Sequence, residues 1–188
     1  MRVFAAIPLS AEARTVVSAV RDRLLEHSWP VRWVMDEGLH LTVRFYGEVP
    51  NDVVDGLGES LAQAVGPMDP MGIGLGGLGV FPTRRKPRVI WMGVDAPPDL
   101  ELLQDRVERA AMAQGYPAAN ETYRPHVTLG RVQRRAVLSE DVAGTLDTVD
   151  ETIEFLADQV VLYRSRTERG GARYDPLRII PFEGVWAV

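Results

Sequence analysis

Residues 3–9 (Val-Phe-Ala-Ala-Ile-Pro-Leu) form an unbroken apolar run, the pattern of a strand buried on both faces. Behind Ser10, a good N-cap, Ala13, Val16, Val17, Val20 and Leu24 recur at helical spacing and predict a helix over about 11–26. Short strands are expected over 31–35 and 39–47. Asn51 then caps a second helix carrying Val53, Val54, Leu57, Leu61 and Val65, which Pro67 and Pro70 end. Residues 71–81 read as extended and glycine-rich, and 88–94 as an apolar strand. Pro97, Pro98 and Asp99 open a third helix with Leu100, Leu103, Val107 and Ala110 on its buried face and Gly115 as its stop. A strand over 124–132, a short helix capped by Ser139 with Val142 and Leu146 inside, and strands over 153–163 and 173–180 complete the chain.

The order strand, helix, strand with His-x-Thr, helix, strand occurs twice. An offset of 86 aligns His40 with His126 and Thr42 with Thr128. Identities outside the motif are poor, so the repeat reads as a structural duplication. No Pro/Ser-rich linker separates the halves, so a single domain over 1–188 is expected, its lobes roughly 1–85 and 86–188.

Side chains alternate between the faces of a strand. Leu39, Leu41, Val43 and Phe45 therefore make an apolar face, while His40, Thr42, Arg44 and Tyr46 share the polar one. In the second copy Val127 and Leu129 point to the core, and Arg124, His126, Thr128 and Gly130 share the other face. Arg131 has the opposite parity and faces away unless the strand bends at Gly130. Arg44 and Arg124 are candidates to bind phosphate or stack on a base, or are simply solvated.

Composition narrows the chemistry. The 188 residues include no cysteine, which removes disulfides, thiol nucleophiles and Cys-ligated metal, and only three histidines. Neither motif has a nearby acidic third ligand, so no metal site is expected. A net charge of −5 argues against broad wrapping of nucleic acid but not against gripping one phosphate. No run is long and apolar enough for a membrane span or a secretory signal, and a cytoplasmic monomer is expected.

The segments His40-Leu41-Thr42-Val43 and His126-Val127-Thr128-Leu129 resemble the paired His-x-Thr-x signatures of the 2H phosphoesterase superfamily, and most closely its RNA 2′,3′-cyclic phosphodiesterases, once described as 2′–5′ RNA ligases. The likeness extends to residues 2–7, 31–34, 45–49, 81–82 and 87–91. Gly130 stands where an alanine is usual, and Ile180-Pro181-Phe182 only approximates the usual ending. The resemblance implies an α+β, two-lobed pseudo-symmetric fold, with antiparallel-rich sheets lining a central cleft and helices outside. It implies His40 as general acid, His126 as general base, Thr42 and Thr128 on the phosphate, and no cofactor. RNA ends or nucleoside cyclic phosphates are the expected partners, and a 2′-phosphate the product. Two imidazoles flanking one phosphate suit this chemistry, because their ordinary pKa of about 6.5 lies near working pH. The motif reads only the phosphate, so another cyclic or 2′–5′ phosphodiester, reverse ligation, or plain RNA-end binding are the alternatives.

Residues 72–77 match G-x-G-x-x-G, but no strand precedes them and no helix follows, so close backbone approach is the expected reason for the glycines. His27 reads as a capping or solvated residue at a helix end. Arg84, Arg85, Lys86 and Arg88 form one basic cluster, and Arg164, Arg166, Arg169 and Arg173 another. Each is either a solvated turn or a contact for an RNA backbone.

Overall fold

A computed structural model describes residues 1–138, 142–168 and 171–184. In chain order the elements are β1 (Arg2–Pro8), α1 (Ala11–Leu25), β2 (Val31–Trp33), β3 (His40–Glu48), α2 (Val54–Val65), β4 (Met71–Thr83), β5 (Lys86–Asp95), α3 (Pro98–Ala113), β6 (His126–Val132), α4 (Val142–Asp147), β7 (Thr152–Ala157), β8 (Gln159–Glu168) and β9 (Gly171–Pro181). This is the expected α+β composition, and every strand pairing is antiparallel.

Local chemistry accounts for most boundaries. The Ser10 hydroxyl accepts the Ala13 N–H at 3.1 Å and opens α1, as its residue type predicts. Asn51 does not cap α2. It begins a 3-10 turn, Asn51–Val53, without a side-chain cap, and the α-helix starts only at Val54. On α3 the buried positions are Leu100, Leu103, Val107 and Ala111, so the stripe ends one residue later than Ala110. Gly115 at φ +87° stops the chain there, a conformation that glycine adopts without steric cost. The strand expected over 153–163 is two, β7 and β8, parted at Asp158, whose carbonyl accepts the Phe182 N–H at 2.7 Å. The proposed Ser139 cap lies outside the described residues.

The strands form one sheet in the order β7-β4-β5-β6-β3-β1-β8-β9, with β2 added against β6. The two sequence halves do not each build one side of it. β4, from the first half, pairs with β5 and β7, while β8 and β9, from the second, extend β1 and β3. β4 and β8 therefore hold corresponding places beside β5 and β1, each next to a strand from the other half of the chain.

At the sheet's centre β3 and β6 share the single pair Leu41↔Val127. One face carries Leu41, Val43, Ile73, Leu75, Ile90, Met92, Val127 and Leu129, each at most 3% exposed, in a core that also takes α1, α2 and α3. Burial of this apolar surface dominates the stabilisation of the fold. The other face of β3 and β6 is left for the site. Among the described residues no helix is long and apolar enough to cross a membrane.

Candidate active site

His40, Thr42, His126 and Thr128 line one cleft of about 370 Å³, together with Arg2, Phe4, Val34, Gly38, Phe45, Arg131, Ser165, Thr167, Ala172 and Tyr174. Two β-bulges decide which neighbours join them. On β1, Ala6 pairs with Thr42 and Ala5 with Arg44, so Val43 is an extra residue. On β5, Trp91 pairs with Thr128 and Ile90 with Gly130, so Leu129 is extra in the same way. An inserted residue reverses the parity of all that follows. Val43 and Leu129 are 86 positions apart, so the bulge recurs at the offset that aligns the two motifs.

Arg44 and Tyr46 therefore leave the face of His40, contrary to strict alternation. Arg44 is buried behind the strand, where it forms an ion pair with Glu108 of α3 and donates to the Pro117 carbonyl at 2.7 Å. Tyr46 packs edge-on against Tyr116, 5.3 Å between centroids. Phe45 and Arg131, the matching positions of the two copies, turn into the cleft instead. Arg124 is exposed and contributes its main-chain carbonyl, not its guanidinium, to the site.

Both histidines are oriented alike. His40 Nδ1 lies 2.8 Å from the Gly38 carbonyl, and His126 Nδ1 lies 2.7 Å from the Arg124 carbonyl. A carbonyl only accepts, so each Nδ1 carries a proton and each Nε2 is the nitrogen left to gain one. His40 Nε2 is 3.1 Å from Thr42 Oγ1. The Gly38 carbonyl sits in a turn held by Asp36, which accepts from Arg21 at 2.6 Å and from Ser18 at 3.0 Å, while Arg21 also donates to the Val34 carbonyl. Tyr123 donates to the Thr42 carbonyl at 3.1 Å and ties the segment before β6 to the first motif. Neither support is visible as a pattern in the chain, because each depends on residues brought together only by the fold.

The surroundings of the two rings differ. His40 is enclosed by Phe4 at 4.9 Å, Tyr174 at 5.1 Å and Tyr163 at 6.3 Å. Burial pushes it down to about 4, against the pull of the Gly38 carbonyl, and the charges of Arg131 and His126 add to the depression. His126 meets Phe81 edge-on at 4.9 Å and Trp91 at 6.3 Å. Burial lowers it as well, opposed by the Arg124 carbonyl and reinforced by Arg131. One arginine thus acts on both imidazoles.

The remaining signals fall elsewhere. The glycines of 72–77 lie within β4, and Gly74, Gly76 and Gly93 floor a shallower depression of about 700 Å³ beside Asp95 and Glu154, which holds no histidine. His27 stacks on Trp29 at 4.9 Å. Arg84 is held by both oxygens of Asp147, and Arg88 reaches the Ala136 carbonyl. Arg164, Arg166 and Arg173 converge on Asp175, while Arg169 lies outside the described residues.

The chain is similar to known proteins over most of its length. The chain is 29% identical to the RNA 2′,3′-cyclic phosphodiesterase of Thermotoga maritima, over 98% of this chain and 97% of that one. It is 30% identical to the enzyme of the same name from Methanothermobacter thermautotrophicus, over 95% and 97%. The crystal structure of E. coli LigT complexed with 3′-AMP superposes with a TM-score of 0.76, at 28% identity and over 96% and 97% of the two chains. The Thermus thermophilus protein TT0787, at 22% identity and over 98% and 100% of the two chains, shares the fold with a TM-score of 0.81. The model of the 2′–5′ RNA ligase superfamily matches residues 7–169, a span that holds both bulged His-x-Thr strands, and the chain belongs to that family.

Proposed function

We propose that the protein hydrolyses 2′,3′-cyclic phosphodiesters at RNA ends, leaving a 2′-phosphomonoester. The observation that carries the reading is the matched pair of Nδ1-anchored histidines in one cleft, each with a threonine one strand step away. Relatives named as RNA 2′,3′-cyclic phosphodiesterases support it, as does a neighbour complexed with 3′-AMP.

Ring opening needs the attacking and departing oxygens roughly in line through phosphorus. His126 Nε2 takes a proton from water as its oxygen bonds to phosphorus. His40 Nε2 returns a proton to the ribose 3′ oxygen as the P–O bond breaks. The Thr42 and Thr128 hydroxyls donate to the non-bridging oxygens, where charge builds up. In the free protein near neutral pH the buried His40 is unprotonated, so its Nε2 accepts from Thr42. The anionic substrate favours the imidazolium. Once protonated, His40 no longer accepts, and the Thr42 hydroxyl is released to the phosphate. Arg131 offsets substrate charge beside both rings.

The test is turnover of the four nucleoside 2′,3′-cyclic phosphates in EDTA. Product with a 2′-phosphate is expected, and His40→Ala or His126→Ala should lower kcat by about 10²–10⁴. Activity that survives both single substitutions rejects the reading.

A further inference from the structure

Arg32 and Arg131 stand directly opposite each other on β2 and β6. Directly paired residues of an antiparallel ladder leave the sheet on the same side, with Cβ atoms about 5 Å apart. That side is the cleft. Arg131 lines it, and so does Val34, two residues beyond Arg32. Val34 also touches the core, while Val31 is a core residue and Trp33 packs against it. Arg32 is exposed, one strand further out than Arg131.

Two like charges placed opposite each other destabilise a sheet. Such clusters are usually neutralised by a carboxylate, as Asp175 does for the three arginines of the β8–β9 hairpin. Here neither guanidinium has an ion-pair partner among the described residues, and the other cross-strand neighbour of Arg131 is Val89. The counter-charge is thus missing at the rim of a cleft built for a phosphate. Further along the sheet, the depression beside Asp95 and Glu154 has the opposite sign.

We infer that Arg32 and Arg131 form a second phosphate site, which holds the 5′-phosphate of the nucleotide whose cyclic phosphate lies between the histidines. The assignment rests on the proposed activity. An RNA end closed by a cyclic phosphate continues only through its 5′ oxygen, so its nearest other phosphate lies one ribose away on one side. The pair sets two guanidinium groups side by side for that phosphate, whereas Arg2 lines the cleft singly from β1. Planar guanidinium groups bind phosphate oxygens in bidentate fashion.

The first experiment compares binding of adenosine 2′-phosphate and adenosine 2′,5′-bisphosphate by calorimetry. The bisphosphate should bind about tenfold tighter, the worth of one charge-assisted hydrogen bond. Arg32→Gln should erase that preference, and Arg164→Gln, a control paired with Asp175, should keep it. The second compares kcat/KM for adenosine 2′,3′-cyclic phosphate, its 5′-phosphorylated form and the dinucleotide ApA ending in a cyclic phosphate. An advantage shared by the last two assigns the site to the phosphate, and one confined to the dinucleotide assigns it to the linked chain. Equal affinities in the wild type, a preference that survives Arg32→Gln, or no binding of either nucleotide overturns the inference. Failure to turn over any cyclic phosphate rejects the activity instead, and the bisphosphate comparison still reads the site.

Discussion

The Arg44 guanidinium and the Glu108 carboxylate form an ion pair behind β3, on the side of the strand turned away from His40. Arg44 also holds the Pro117 carbonyl, and Glu108 accepts the Ala119 N–H at 2.7 Å, so the pair clamps the segment after α3 against the sheet. Removing one partner leaves a poorly solvated charge and a carbonyl without its donor. Arg44→Ala should therefore destabilise the fold by about 2–4 kcal/mol in urea denaturation. The folded variant should turn over substrate close to the wild-type rate. A large loss of kcat/KM with an unchanged midpoint would put Arg44 at the phosphate.

That residue also marks where reading the chain succeeds and where it stops. The two His-x-Thr strands, α1, α3 and the placing of His40 with His126 are all legible, because each rests on local periodicity or on a repeat. Arg44 and Tyr46 are misplaced by alternation, since a bulge is defined by the register of the neighbouring strand. Gly130 was the available signal: a glycine within a strand marks a bulge or a close approach. A Cβ there would lie 2.5 Å from Val31 Cγ1 and 2.8 Å from Trp33. Carried back by the offset of 86, that bend falls at Arg44. The placing of β4 beside β5 and of β8 beside β1 had no such signal, because partner choice is not written in any single strand.

Gly79 lies under the Trp91 indole, and a Cβ on it would approach the ring to 2.3 Å. The indole in turn packs on Phe81, 5.1 Å between centroids, and both rings flank His126. Gly79→Ala should force the ring out of its place, costing about 1–3 kcal/mol of stability. It should also lower kcat/KM by disturbing the wall of His126. Thermal unfolding and steady-state kinetics measure the two effects, and an unchanged Tm shows that the ring yields freely.

His40 makes stability depend on pH. Unfolded, its imidazole holds a proton up to about pH 6.5; folded, only up to about pH 4. Between these values the unfolded chain binds more protons, so stability rises with pH through this window, is complete above it, and is lost as pH falls to 4. The contribution is of order 3 kcal/mol. His40→Phe suits the ring cluster of Phe4, Tyr163 and Tyr174 and should flatten the rise. Urea midpoints at several pH values between 4 and 7 report it, and an equally steep rise in His40→Phe assigns the dependence to other groups.

The acid and base can be told apart by the leaving group. A buried His40 depressed to about 4 is a strong acid once charged, but in the free protein it is seldom charged near neutrality. The bell-shaped profile of such a coupled pair does not say which ring holds the proton. A phosphodiester that expels p-nitrophenolate needs no proton on its departing oxygen, so it bypasses the acid and still requires the base. Against such a substrate His40→Ala should regain most of the activity lost on the ribose ester, while His126→Ala should stay inactive. Rescue of His126→Ala alone would exchange the two roles and make the enclosed, neutral His40 the base that activates water.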